Sequence, residues 1–255
     1  MMEGNFKMTR YKPKVSIIIP FYNCRFVDRA IKSALQQTYS NCEIIVVDDG
    51  STIHKDLINP YLDKVRYLRK VNGGTASALN AGLNNATGEY FSWLSSDDMY
   101  HPEKVEKQID FMLKHGAVIS YGNYQLMNER DHITSDPVGV NIPDKYRFIR
   151  AMRSGCIING CTVMANIEVI KRAGLFDETL PFTHDYDLWL RLLLVHDFYY
   201  FPEPLVLYRI HGSMGSRVHK AAIALEIRKV KKRYRDQISR LVNLNSPRRH
   251  GKNFK

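Results

Sequence analysis

The strongest constraint on the fold is a pair of short, continuously apolar runs rich in β-branched residues, at residues 15–19 (VSIII) and 43–47 (EIIVV). Such runs are typical of strands that are covered on both faces in a parallel sheet. Between them, helical spacing relates Val27, Ala30, Ile31, Ala34 and Leu35. Because two parallel strands need a crossover connection, usually a helix, these three segments predict a βαβ unit.

The alternation continues along the first half of the chain. Helices are predicted near residues 55–62, 75–85 and 102–115, and strands at 65–68, 90–94 and 117–124. The second half is less regular, with a strand at 156–165 (CIINGCTVMA), helices at 167–173 and 186–195, and an extended segment that runs into the Gly/Ser loop GSMGS. Strands that alternate with helices predict a doubly wound α/β sheet.

Composition narrows the class of protein. Of the 255 residues, 44% are hydrophobic and 25% charged, as in globular proteins, and no apolar run approaches the ~18 residues of a membrane span. The N-terminal charges are followed by no apolar core, so no secretory signal is expected and a cytoplasmic location is the default. The four cysteines form no CxxC pair or zinc-type cluster, so we expect them to be reduced and structural.

The net charge of +11 belongs to the C-terminal segment. Residues 217–255 hold 13 Lys and Arg but only two acidic residues, while the rest of the chain carries 24 of each sign. Residues 220–242 place apolar side chains at helical spacing between basic ones. This predicts an amphipathic helical tail that either lies on an anionic membrane, at its cytoplasmic face, or docks on the body of the protein. Nucleic-acid binding through the tail is the alternative from another class, but no reader motif supports it and no nucleic-acid partner is expected.

Polar residues follow each of the first four predicted strands, as PFYN, DDGS, VNGG and SSDD in that order. In open parallel sheets, ligands bind at this edge, outside the carboxyl ends of the strands. The sequence contains neither the GxGxxG of a dinucleotide-binding fold nor a P-loop, and a tight turn explains the NGG of residues 72–74. An acidic edge can hold a diphosphate through a divalent cation, and carboxylate oxygens suit Mg²⁺ or Mn²⁺. The sequence therefore predicts a metal and diphosphate site here.

Five ordered motifs carry a family resemblance: VSIIIPFYN, IIVVDDGST, GGTASALNAGLNNATGEYFSWLSSDD, HDYDLWLRL and YRIHGSMGS. Together they resemble glycosyltransferase family 2, over residues 14–216. The resemblance implies a single-domain GT-A fold, a Rossmann-like mixed α/β sheet flanked by helices, with a nucleotide-binding half at 14–124 and an acceptor-binding half at 125–216. Residues 1–13 would be an N-terminal extension, and residues 217–255 the basic tail.

The resemblance implies a donor site for a nucleotide sugar, most often UDP-linked in that family. Pro20 and Tyr22 would line the nucleotide pocket, Asp49 would hydrogen-bond the uracil, and Asn72 would bind the nucleotide sugar. Asp97, the first acid of the SSDD segment, would contact the ribose.

The same resemblance implies the catalytic groups. Asp98 would bind the Mn²⁺ or Mg²⁺ on the diphosphate, with His211 as an additional ligand. Arg209 would belong with His211 to a mobile loop that folds over the diphosphate. Asp185 would be the base that takes the proton of the acceptor hydroxyl in a single in-line displacement with inversion. From the residues alone, helix capping also explains Asp185 and Asp187.

The implied function is a metal-dependent inverting glycosyltransferase that acts on a glycan or lipid-linked sugar in polysaccharide or glycan assembly. Three positions depart from the family pattern, since Ser95 replaces a carboxylate, His184 a glutamate and Leu79 an arginine. They motivate a second hypothesis, a weak or inactive member that binds sugar nucleotides or glycans. Trp93 and Trp189 are expected in the core, with Trp189 alternatively flanking an acceptor sugar.

Overall fold

The computed structural model describes residues 11–244, which form a mixed sheet of eight strands flanked by helices. The strands are β1 Val15–Phe21, β2 Cys42–Asp48, β3 Arg66–Arg69, β4 Tyr90–Trp93, β5 Met99–Tyr100, β6 Ile119–Met127, β7 Met164–Asn166 and β8 Tyr199–Arg209. The helices are α1 Val27–Leu35, α2 Thr75–Asn85, α3 Lys104–His115, α4 Lys145–Ser154, α5 Ile167–Arg172, α6 His184–Leu193, α7 Gly215–Val218 and α8 Lys220–Leu244. The strand order is β3-β2-β1-β4-β7-β6-β8-β5.

The first half of the chain is built on the parallel strands that the apolar runs predict. β1 pairs with β2 and β4, and β2 pairs with β3. All seven residues of β1 are buried, as expected for a central strand covered on both faces. The four strands end at one edge of the sheet, so the polar segments that follow them are brought together.

The second half makes the sheet mixed. β7 is antiparallel to β4 and β6, while β8 is parallel to β6 and antiparallel to β5. The pairing of Met99 with Leu207 puts the carboxyl end of β8 beside the SSDD segment. The mixed α/β sheet confirms the predicted fold class.

Two predicted elements differ from the observed ones in form or in extent. The helix predicted at 55–62 is a 3₁₀ helix, Lys55–Tyr61, which contains Pro60; proline lacks the N–H that an α-helix interior requires. The strand predicted at 156–165 is reduced to the three residues of β7, preceded by a 3₁₀ turn, Gly160–Thr162. The side chain of Asn159 accepts from Cys161 N at 3.0 Å and holds this turn.

The helical tail docks on the body of the protein, one of the two arrangements that its amphipathic pattern predicts. In α8, Val230, Tyr234, Ile238 and Val242 are buried, and the helix packs against α4 and α6. Within residues 11–244, none of the helices has the combination of length and apolar character needed to cross a membrane. The remainder of the predicted tail, 245–255, lies outside the described residues, as do residues 1–10 of the predicted extension.

Candidate active site

A cavity of about 1050 Å³ opens at the carboxyl ends of β1, β2 and β4 and extends to the start of α6. Seven residues that the sequence singles out line it: Pro20, Tyr22, Asp49, Asn72, Asp97, Asp185 and His211. The structure therefore brings both halves of the chain to one space. Asp98 and Arg209 are not among the lining residues and lie beneath the surface.

Asp49 joins two of the loops at the cavity wall. Its carboxylate accepts hydrogen bonds from Lys70 Nζ at 2.6 Å, Gly73 N at 3.0 Å and Gly74 N at 2.7 Å. Asn72 Nδ2 donates to the backbone oxygen of Asp49 at 3.0 Å. Asp49 and Asn72 thus shape the nucleotide side of the cavity by linking the DDGS and VNGG segments, and their predicted contacts with a nucleotide remain predictions.

Asp97 and His211 form a polar pair on the cavity floor. His211 Nε2 lies 2.9 Å from Asp97 Oδ2, and the side chain of Asp97 is 28% exposed. Ser213 Oγ is hydrogen-bonded to His211 Nδ1 at 2.9 Å. The imidazole packs on the ring of Phe26, with ring centroids 5.4 Å apart. These contacts hold the imidazole and the carboxylate side by side, facing the cavity.

Asp98 is placed differently from its neighbour, and its predicted role as a metal ligand stays a prediction. Its side chain is buried, Oδ1 accepts from Arg209 N at 2.8 Å, and Oδ2 accepts from Cys161 Sγ at 3.2 Å. Burial, together with the charge of Asp97, raises the pKa of Asp98 well above its usual value. The Asp98 carboxyl group thus accepts hydrogen bonds from two other segments of the chain and is not among the residues that line the cavity.

Arg209 is also buried, and its predicted contact with the nucleotide stays a prediction. Nε donates to the backbone oxygen of Asp97 at 2.7 Å, and Nη1 donates to Asn128 O at 2.9 Å and to Asp131 Oδ1 at 2.5 Å. The guanidinium stacks on Phe26 at 4.5 Å. Arg209 therefore supports the SSDD turn from below.

The residues present fit a divalent cation that is shared with a substrate. Among residues 11–244 there is no group of three or more His, Cys, Asp or Glu arranged to enclose a metal ion. Asp97 and His211 nevertheless supply one oxygen and one nitrogen donor that touch each other and face the cavity. Mg²⁺-type sites commonly use one or two protein ligands and complete their shell with phosphate oxygens and water. At the position where the family has a carboxylate, Ser95 Oγ lies 3.1 Å from Cys161 Sγ.

Asp185 and Asp187 have different surroundings, although both lie in the first turn of α6. Asp187 is buried, and its oxygens are bound by Arg191 Nε at 2.9 Å, Arg233 Nη1 at 2.6 Å and Tyr234 Oη at 2.9 Å. Asp185 lines the cavity, and its Oδ1 accepts from Tyr186 N at 2.7 Å. Burial raises the pKa of Asp185 above its usual value. Helix capping is therefore not the only role that the structure offers these two acids. Of the two, only Asp185 lines the cavity and is available to a substrate.

The acceptor side of the cavity includes residues that the sequence did not indicate. Phe182, His219 and Ile223 line it, and none belongs to a motif with a known chemical signature. Both tryptophans are buried, as expected, and Trp93 also lines the cavity. Trp189 is not among the lining residues, which speaks against the alternative in which it flanks an acceptor sugar. Trp93 could have been identified from its place two residues before the SSDD segment.

The fold and the cavity together define a class. A mixed sheet of eight strands flanked by helices has the architecture of GT-A glycosyltransferases. The model of the family described as Glycosyl transferase family 2 matches residues 16–170. This chain belongs to glycosyltransferase family 2.

Curated relatives agree with this assignment. An uncharacterized glycosyltransferase of Rickettsia typhi is 44% identical over 213 residues, covering 81% of this chain and 67% of the relative. The putative teichuronic acid biosynthesis glycosyltransferase TuaG of Bacillus subtilis is 34% identical over 225 residues, covering 84% of this chain and 86% of TuaG. For a relative from Rickettsia bellii, the match spans only 32% of its length.

Solved structures show the same fold at low identity. S. aureus TarS 1–349 in complex with UDP has a TM-score of 0.63 and 19% identity, with 90% of this chain and 70% of that chain covered. The mannosyltransferase PcManGT from Pyrobaculum calidifontis, in complex with GDP-Man and Mn²⁺, has a TM-score of 0.65 and 17% identity, with 92% and 70% covered. These likenesses support the fold.

Proposed function

We propose that this chain is a metal-dependent, inverting glycosyltransferase that moves a hexosyl group from a UDP-linked donor to a hydroxyl of a glycan or lipid-linked acceptor. One observation carries the proposal: Asp97 and His211 on one side and Asp185 on the other face a common cavity. Its volume of about 1050 Å³ is at the upper end of ordinary ligand pockets. It therefore has room for a donor and part of an acceptor.

On the donor side, Asp97 and His211 would hold the cation, which supplies positive charge against the diphosphate oxygens. Tyr22, whose side chain is largely exposed at the rim, offers a ring face to the base. Arg209 and Asp98 keep the backbone of the SSDD turn in place beneath this pair. The donor is thus oriented by residues that are themselves held by buried hydrogen bonds.

On the acceptor side, Asp185 would accept the proton of the attacking hydroxyl. A raised pKa makes its carboxylate a better base than an exposed aspartate. The neighbouring His184 is buried, which lowers its pKa and favours the neutral imidazole. In an inverting displacement the hydroxyl attacks opposite the departing diphosphate, so the base and the diphosphate site are required on different sides of the sugar.

The relatives support these choices without deciding among donors. TarS was solved with UDP and with UDP-GlcNAc, and PcManGT with GDP-Man and Mn²⁺. The name of TuaG refers to teichuronic acid biosynthesis, which supports a role in polysaccharide assembly. We place the reaction in the cytoplasm, at the cytoplasmic face of a membrane, where a lipid-linked acceptor and the basic surface of α8 would meet.

A screen of nucleotide sugars for nucleotide release tests the proposal. Purified full-length protein is incubated with UDP-sugars and with GDP-mannose, in Mn²⁺, Mg²⁺ or EDTA, with and without simple glycan acceptors. We expect acceptor-stimulated release of UDP that EDTA abolishes. Nucleotide-sugar binding without turnover would instead favour the inactive-member hypothesis, and release from GDP-mannose alone would replace the UDP assignment.

The base is tested by Asp185→Asn, which should lower kcat by about 10²–10⁴-fold, as for loss of a general base. Binding of UDP should be retained because Asp185 is on the acceptor side. Asp63→Asn makes the same chemical change at an exposed position outside the cavity and serves as the control. Wild-type kcat in Asp185→Asn would refute the assignment.

A further inference from the structure

The tail helix α8 contacts the segment that carries Asp185 at three levels. The contacting residues are His219 just before α8 and Glu226 and Arg233 within it. They are spaced seven residues apart, about two turns of an α-helix, so they lie along one side. Each level binds a different part of residues 177–187, at the acceptor side of the cavity.

The central contact is a cap supplied from a distant part of the chain. Glu226 Oε2 accepts hydrogen bonds from Phe182 N at 3.1 Å, Thr183 N at 3.0 Å and Thr183 Oγ1 at 2.9 Å. Thr183 is the N-cap residue of α6, and its own side chain makes no capping bond to the helix. A carboxylate at this point satisfies backbone donors and interacts favourably with the positive end of the helix dipole.

The two other levels fix the helix on either side of this cap. Arg233 Nη1 lies 2.6 Å from Asp187 Oδ1 and 2.8 Å from Asp177 Oδ2. His219 stacks on Phe182, with ring centroids 4.6 Å apart. Because Asp185 lies between Thr183 and Asp187, its backbone is held from both directions by α8.

The start of α8 also forms part of the cavity itself. His219 and Ile223 line it together with Phe182 and Asp185. The same helix therefore contributes to the wall that an acceptor would touch and to the contacts that hold the base.

We propose that α8 is an integral part of the acceptor site and that Glu226 is the positioning residue for Asp185. The inference rests on the proposed function, in which Asp185 is the base. Without the Glu226 carboxylate, the Phe182 and Thr183 N–H groups lose their acceptor, and the turn that carries Asp185 can move. A displacement of the base affects the proton-transfer step and leaves the donor side unchanged.

The test compares Glu226→Ala, Glu226→Gln and the control Asp236→Ala in the full-length chain. Asp236 is an exposed acid on the same helix that pairs with the adjacent Arg235. We expect Glu226→Ala to lower kcat at least tenfold while the KM for the donor changes less than twofold. Glu226→Gln should recover most of the kcat because its amide oxygen can accept the same bonds, and the control should match wild type.

Hydrogen exchange measured by mass spectrometry provides a readout that does not depend on activity. In Glu226→Ala, amides of residues 182–187 should exchange at least tenfold faster, with those of β1 and β2 unchanged. Unchanged exchange in residues 182–187, an unchanged kcat, or equal loss of protection throughout the protein would overturn the proposal. If the alanine variant does not fold, Glu226→Asp, which is shorter by one methylene, carries the same expectations.

The two failures remain distinguishable. A wild-type protein that transfers no sugar refutes the proposed function, and the exchange data then decide alone whether Glu226 holds the turn. An active wild type with an unaffected Glu226→Ala variant refutes only the positioning role.

Discussion

At the scale of single residues, the turn that contains Asp97 and Asp98 gives two identical side chains different surroundings. The turn after β4 is closed by Asp98 N, which donates to Ser95 O at 3.1 Å. Asp97 is left facing the cavity and His211, while Asp98 is enclosed by Arg209 N and Cys161 Sγ. One carboxylate is available for binding, and the other stabilises the turn that presents it.

This difference predicts opposite effects of the same substitution. Mn²⁺ with UDP should raise the Tm of wild type and of Asp98→Asn, because asparagine can still accept from Arg209 N, but should not raise that of Asp97→Asn. Differential scanning fluorimetry measures all three shifts. A Tm shift that is retained in Asp97→Asn and lost in Asp98→Asn would instead identify Asp98 as the metal ligand.

Lys104 is a buried lysine that forms no ion pair with an acidic side chain among residues 11–244. Its side chain is 1% exposed, and Nζ donates to Ser92 Oγ at 2.5 Å and lies 3.3 Å from Tyr100 Oη. Burial lowers the pKa of Lys104 to about 7. Between that value and the ordinary lysine pKa of about 10.4, the unfolded chain binds a proton that the folded chain lacks, so this residue makes stability rise with pH.

Lys104→Met should therefore raise stability most at and below pH 7, where the folded protein otherwise buries a charge. We expect an increase of a few degrees in Tm at pH 6 and a smaller one at pH 9. The increase at pH 6 corresponds to a gain of about 1 kcal/mol or more in the free energy of unfolding. Thermal unfolding of wild type and variant at both pH values measures the difference. An equal effect at pH 6 and pH 9 would contradict the proposed titration.

At the scale of elements, helix α2 packs closely on β1 at Gly82. A Cβ atom added at Gly82 would clash with the side chain of Ile18 in β1. The N-terminal end of the same helix contributes Thr75 and Ala78 to the cavity wall. The same helix therefore combines a close contact with the sheet at Gly82 and a contribution to the cavity wall at its N-terminal end.

Gly82→Ala should destabilise the protein by about 1–2 kcal/mol, because overpacking outweighs the better helix propensity of alanine. Gly155→Ala is the matched control, since nothing lies within 4 Å of the added Cβ there, and its effect should stay within about 0.5 kcal/mol. Urea unfolding measures both. An unchanged midpoint for Gly82→Ala would mean that α2 can move away from β1 without cost.

At the scale of the whole molecule, docking of α8 leaves its basic residues on the surface beside those of α4. Arg153 Nη1 lies 3.5 Å from Ser239 Oγ, and Lys231 Nζ donates to Ser154 O at 2.8 Å, so the two helices lie side by side. Arg228, Lys229 and Lys232 on α8 are exposed. Because Val230, Tyr234, Ile238 and Val242 are used for folding, membrane attraction would depend mainly on the exposed basic residues.

A triple variant of Arg228, Lys229 and Lys232 to glutamine should lower binding to phosphatidylserine vesicles by roughly tenfold or more, since each basic residue near an anionic surface contributes about 1 kcal/mol. Glutamine at Lys32, Lys55 and Lys64 changes the net charge equally at exposed positions in the other half of the chain and should have little effect. Vesicle co-sedimentation at low and high salt measures this. An equal loss of vesicle binding in both variants would exclude the basic face of α8 as the specific membrane-binding surface.

The sequence by itself determined the βαβ start, the order of the first strands and the family, because burial on both faces of a parallel sheet requires continuous apolar runs and ligand-binding loops follow their ends. It also placed seven of the nine indicated residues at the cavity. Only the tertiary structure decided which acid of each pair is available. Asp97 and Asp98 are adjacent in sequence, and Asp185 and Asp187 share a helical turn, but partners from residues 161, 209 and 233 enclose one member of each pair. Burial depends on such distant contacts, which local residue patterns do not encode.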